Sequence, residues 1–518
     1  MAKYAAAIFT LILLVWSQAA ASAGGIVYIP LDNRPVCLGD PLDAMKAVGM
    51  KTVTPPEELL AGRGRFGDPD RLWEWLEAKA QSADALVLSA DSLLYGGLVP
   101  SRIHQLTPDT LTKRIAKFQK LRSANPGLPI YVFSTVMRTP RMSAGGVDPA
   151  YFEVYGEQIF RYSALQDKNE QQLLSKDEQL EMAGLFAALP EPVMIDWLTR
   201  RQINYDVNAR LLTLTREKVF SYFVLGLDDN DRFSRSRQET RWLLQAEPEL
   251  YGATFATFAG ADQLGMILLT RAVNLLKGNR PFIAALYTPG IGKDTIPSYQ
   301  GESVFVSVLN HVSAAGGYLI FSPERADMVL AVNTPANGVT LEAATAANRR
   351  DKRPETTELV AAIDRQLQHT PVAVADIAFA NGADNSLMTE LVAHGLPAKL
   401  AAYSGWNTAS NSIGFAVAHG LLAKMMSPAD RQHLLSVRLL DDWAYQANVR
   451  QTVKQDFVRP RGIDEVALGA GRSLVEARTT AGLRQFAAER FGDFSVPAFA
   501  AVHPWDRMFE VQIVLTQE

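Results

Sequence analysis

The stretch Ile26-Val27-Tyr28-Ile29-Pro30-Leu31-Asp32-Asn33-Arg34-Pro35 decides how the chain is read. Ile26 to Ile29 are all apolar, three of them β-branched. Such a run has no polar face, so both of its sides must be covered, as in a buried parallel strand. It then breaks at a proline into Asp32, Asn33 and Arg34, which places charge at the strand's carboxyl end. The same pattern returns at 85–89, 130–135, 220–227, 253–259, 282–287, 328–332, 372–377 and 400–403, with 52–54 as a short tenth run. Segments with helical periodicity separate these runs, so the chain is predicted to be an α/β protein. A parallel, TIM-like β/α barrel with insertions fits this alternation. The alternative is two doubly wound modules meeting near Asn279-Arg280-Pro281, just before the strand that starts at Phe282. Residues 24–425 form the expected α/β catalytic region, and 426–518 a mostly helical C-terminal region.

The chain has 518 residues, enough for one large domain or two to three of ~150 residues. Charged residues are 20% and the net charge is −4, so bulk charge does not advertise nucleic-acid binding. One cysteine, Cys37, excludes an internal disulfide and a multi-thiolate metal site. None of the seven histidines stands four residues from another, so no histidine metal centre is expected. Residues 1–23 read as a cleavable signal: Lys3, an apolar run from Ala5 to Trp16, then Ala21-Ser22-Ala23. That run is shorter than the ~20 residues of a membrane span, so a periplasmic or secreted protein without a stable span is expected.

In parallel α/β folds the loops after the strands share one face, and active sites lie there. Here those loops carry Asp32 and Arg34, Asp91 with Tyr95, Arg102, Arg138, Asp228-Asp229, Asp262, Asn381 with Asp384, and Tyr403, Trp406 and Asn407. Asp228 and Asp229 are the predicted catalytic pair. Neighbouring like charges push one pKa up, so one carboxyl stays an acid while the other is ionised. Glycoside cleavage needs that division of labour. In one variant the substrate's own 2-acetamido oxygen attacks, one carboxylate orients the amide N–H and the other protonates the leaving oxygen. The remaining loop residues are expected to bind a carbohydrate, Trp406 by stacking and the amides through hydroxyls. Arg34, Arg102 and Arg138 are placed to clamp a carboxylate or phosphate, or to pair with Asp32, Asp91 or Asp229 and hold the site together. No organic cofactor or metal is implied. A hard-cation site on Asp228, Asp229 and Asp231, serving a phosphate or carboxylate hydrolase, is one alternative. A carbohydrate-binding protein without chemistry is another. Gly62-Arg63-Gly64-Arg65-Phe66-Gly67 matches a dinucleotide fingerprint, but no strand leads into it.

The stretches Ile29-Pro30-Leu31-Asp32-Asn33-Arg34-Pro35-Val36, Ala90-Asp91-Ser92 to Gly96-Gly97, and Gly405-Trp406-Asn407-Thr408 with Asn411 resemble an uncharacterised bacterial family, a domain of unknown function. That resemblance covers most of the mature chain and implies no activity. The Asp228-Asp229 pair after an apolar strand is also similar to the pair of O-GlcNAcase-like glycoside hydrolases. Those barrels use a Tyr, a Trp and an Asn from later loops, parts the resemblance assigns to Tyr403, Trp406 and Asn407.

Overall fold

A computed structural model describes residues 24–141, 143 and 146–516. The expected signal, 1–23, lies outside the described residues. The first six strands are β1 (Ile26–Ile29), β2 (Thr52–Val53), β3 (Ala85–Ser89), β4 (Ile130–Val136), β5 (Tyr222–Leu227) and β6 (Phe255–Ala259). They pair in the order β2-β1-β3-β4-β5-β6, every neighbour parallel. Next come β7 (Phe282–Tyr287), β8 (Tyr318–Ile320), β9 (Met328–Asn333), β10 (Leu341–Glu342), β11 (Val372–Asp376), β12 (Phe379–Ala380) and β13 (Ala402–Ser404). Five of these form a second parallel sheet, β13-β11-β9-β7-β8, and β10 pairs with β12 apart from it.

The α/β class holds, but the strands do not close into a barrel. Each sheet is open, with β2 and β6 as the edges of the first and β13 and β8 of the second. The reason lies in strand order. In both sheets the second strand adds outside the first and the third adds on the other side, the reversal that defines a doubly wound sheet. Repeated strand–helix alternation is common to both architectures. Only the tertiary pairing separates them, and here it follows the alternative reading.

The two sheets share a helical layer. One apolar cluster joins Tyr28, Val87 and Phe133 of the first sheet to Leu330, Val332 and Ala373 of the second. Between them lie helices Leu264–Leu276, Val304–Ala314 and Ala409–Leu422. Every residue of Ala409–Leu422 is buried, as expected of a helix apolar on nearly all sides. Helices Pro69–Ala80, Pro108–Ala124 and Glu191–Arg216 cover the outer face of the first sheet. Helices Pro354–Leu367 and Asn385–Ala393 cover that of the second, and Arg472–Arg490 packs outside them on the C-terminal stretch Leu439–Val449. Residues 426–516 are mostly helical as far as Arg490, including a π-helical stretch Leu439–Val449. They end in an antiparallel pair, β14 (Phe499–Val502) and β15 (Gln512–Leu515).

Candidate functional site

The carboxyl ends of the first sheet open into a cleft of about 240 Å³. Asp32, Arg34, Arg102, Arg138, Asp228, Asp229 and Asp262 line it from the first module. Asp32 folds its own loop: Oδ1 accepts the Arg34 backbone N–H at 3.0 Å, and Oδ2 accepts Arg34 Nε at 2.9 Å. The Arg34 guanidinium then reaches Asp262 Oδ1 at 2.5 Å. Gly260, at φ +100, makes the turn that delivers Asp262, in a backbone region that suits glycine. Arg102 grips Asp228 Oδ2 through Nε at 3.0 Å and Nη2 at 2.5 Å. Arg138 donates to Asp229 at 2.7 Å and to Asp148 at 2.6 Å.

Two adjacent carboxyls thus sit in different environments. The Asp228 side chain is 8% exposed, and burial pushes its pKa above the ordinary range despite Arg102, with Asp229 adding to the rise. The Asp229 side chain is 35% exposed and faces the opening. Behind them lies Asp91, whose Oδ1 accepts the Thr135 hydroxyl at 2.9 Å while Oδ2 is buried without a partner. Burial, with Asp228 nearby, pushes Asp91 up to about 7 against that hydrogen bond. Burial also raises Asp262, although Arg34 opposes it.

The second module and the C-terminal region complete the walls with Tyr299, Asn407, Thr408, Asn411, Trp505, Arg507 and Phe509. Trp505 is tied to the opening loop: its Nε1 donates to Asn33 Oδ1 at 2.8 Å, and its ring lies 5.5 Å from the Arg34 guanidinium. Among the described residues, seven other than glycine have positive φ, and Asp229, Tyr299 and Asn407 all line this cleft. Such backbone costs about 1 kcal/mol or more each and gathers at functional sites.

The cleft does not take in every residue expected there. Tyr95 is buried with its ring 4.9 Å from His104. Trp406 is buried in the shared core, 6.3 Å from the Phe509 ring, so it offers no free face for stacking. Asn381 binds Glu342 at 2.8 Å and donates its backbone N–H to the Asn407 carbonyl, bordering the cleft without lining it. Asp384 and Tyr403 belong to a closed cluster at the ends of the second sheet. There Asn333 donates to Asp376 at 2.8 Å and Asp384 at 3.0 Å, and Tyr403 donates to Asp376 at 2.8 Å. Sequence reasoning missed Asp148, Tyr299, Trp505, Arg507 and Phe509. The only signal for the last three was an aromatic- and arginine-bearing turn between two short apolar runs.

Among the described residues, no three His, Cys, Asp or Glu side chains form a group that could hold a metal ion. No described helix is long and apolar enough to cross a membrane. A family model spanning residues 26–514 matches the sequence, from the first strand to the last. The chain belongs to that family, proteins of unknown function termed DUF4127. In this DUF4127 member, Asp32, Arg34, Asn407, Thr408 and Asn411 of the quoted motifs all reach the cleft. No curated protein matches the chain.

Proposed function

We propose that the cleft hydrolyses a glycosidic bond in an exported, carbohydrate-processing enzyme. The observation that carries this reading is the adjacent pair with opposed surroundings. Asp228 is buried and holds its proton to higher pH than an ordinary aspartate, which suits a general acid. Asp229 faces the opening on strained backbone and is held by Arg138, which suits a carboxylate that orients the reacting group. Asp228 delivers its proton to the leaving oxygen as the anomeric carbon is attacked. Asp229 aligns the attacking group. Tyr299, 42% exposed, offers an aromatic edge to the sugar, and Asn407 and Asn411 offer amides. Acid–base chemistry is favoured over the cation reading because Asp228 and Asp229 each engage a guanidinium, and Asp231 is not among the lining residues.

The test is turnover of nitrophenyl glycosides by the chain starting at Gly24. Asp228→Asn and Asp229→Asn should each lower kcat by at least ~100-fold while the chain still folds. Unchanged rates in both remove the pair from the mechanism. Chelator should leave the rate intact, and loss restored by Mg²⁺ or Ca²⁺ turns the reading to a metal-dependent hydrolase. Sugar binding without turnover in any assay turns it to a binding protein.

A further inference from the structure

We infer that the saccharide bound in this cleft carries an anionic substituent, a carboxylate or phosphate, seated at the start of helix Ala409–Leu422. This rests on the carbohydrate reading above and names the substrate class. The helix is fourteen residues long and begins at the cleft wall formed by Asn407, Thr408 and Asn411. Its N-cap residue Thr408 makes no capping hydrogen bond, so the first-turn N–H groups have no side-chain acceptor. Nearby hydroxyls serve other groups: Ser410 donates to Gln300, and Ser412 to the Trp406 carbonyl at 3.1 Å.

Two buried side chains at this point independently lack partners. Thr408 is 7% exposed with its hydroxyl unpaired, and Asn411 is 2% exposed with its amide oxygen unpaired. A buried polar atom without a partner costs about 1–3 kcal/mol, so such atoms beside a cleft point to a missing ligand. The first-turn backbone N–H groups and the Thr408 hydroxyl can donate to an anionic oxygen group, which the helix dipole also favours, while the Asn411 amide oxygen accepts from a hydroxyl of the same sugar. Helix Leu264–Leu276 packs in the same layer and also begins at this cleft, but Asp262 precedes it and is neutralised by Arg34. No carboxylate caps Ala409–Leu422. Arg507 lines the same cleft, its charge matched by Glu510.

The test compares glucuronate, galacturonate and glucose 6-phosphate with glucose and galactose, by calorimetry and thermal shift on the chain from Gly24. The acidic sugars should bind at least about tenfold tighter than the neutral ones, equal to about 1.4 kcal/mol. Preference for uronates or for the phosphate identifies which anion is recognised, and either supports the inference. Asn411→Asp places a negative charge in the first helical turn, where it suits the helix but repels an anion. It should erase the preference for acidic over neutral sugars, at some cost in ligand-free melting temperature because the new carboxylate is buried. Thr408→Val, if Asn411→Asp does not fold, should weaken acidic sugars more than neutral ones. Equal binding of acidic and neutral sugars, no binding of acidic sugars, or a preference that survives these variants overturns the inference. Acidic-sugar binding that depends on Asn411 without any glycoside turnover leaves it standing and overturns the hydrolase reading alone. Turnover of neutral glycosides with no gain for acidic ones does the reverse.

Discussion

The two modules have the same strand order and place aspartates at the same ends of their sheets, yet they use them differently. In the first, Asp32, Asp228, Asp229 and Asp262 each meet a guanidinium and border an open cleft. In the second, Asp376 and Asp384 are fully buried; Asp384 also pairs with Arg353, and the two share hydrogen bonds from Asn333, Tyr403 and the Asp384 backbone. The stretch Leu439–Val449 closes over them, with Asp442 accepting the Gly405 N–H at 2.7 Å. A dense set of acids at strand ends therefore faces a cleft only where the loops leave that edge open. Closed, the same chemistry becomes a polar core.

The largest expected contrast is in stability. Arg102→Leu strips the buried Asp228 of its cation and should cost about 3–5 kcal/mol. Arg353→Leu removes the guanidinium paired with Asp384 but leaves Asn333 and the Ser386 N–H on its carboxylate, and should cost only about 1.5 kcal/mol. Urea unfolding of both variants reads the difference, and equal losses would break the comparison.

A smaller effect separates the regions by pH. Burial, with Asp384 adjacent, pushes Asp376 up to about 7 from 3.8. Between those values the folded chain keeps a proton that the unfolded chain has lost. Its contribution is full below pH 4 and disappears as pH rises through 7. Melting temperatures from pH 4 to 7 should fall for the native chain and fall less for Asp376→Asn. Asp91, also near 7, should keep part of the slope in that variant.

The smallest effect concerns Asp229, held at φ +31. Asp229→Gly relaxes the backbone and removes only a partly exposed ion pair, and Asp148 still neutralises Arg138. Its melting temperature should hold or rise slightly, by up to about 1 kcal/mol of stability, while turnover collapses. A clear loss of stability would make Asp229 a structural residue like those of the second module.

Much of this was legible in the sequence. Runs such as 85–89 and 282–287 gave the strands because a strand covered on both faces must be apolar throughout. Asp32, Arg34, Asp228, Asp229 and Asp262 were legible because their loops follow such strands. Openness was not, so Asp384, Tyr403 and Trp406 looked equivalent to them until packing closed over them. Barrel or double sheet depends on which edges pair, which no local pattern encodes. Trp505 and Arg507 were hidden because they reach the cleft from a short antiparallel pair, far along the chain from Asn33.

The Trp505–Asn33 hydrogen bond has a consequence for how the protein comes to exist. The two sides of one wall are 472 positions apart, so a ribosome delivers the first long before the second. Any nascent or truncated chain ending before residue 505 carries the acids and arginines without the boundary that shapes them. The cleft should therefore take its shape abruptly, once the turn bearing Trp505 has been made.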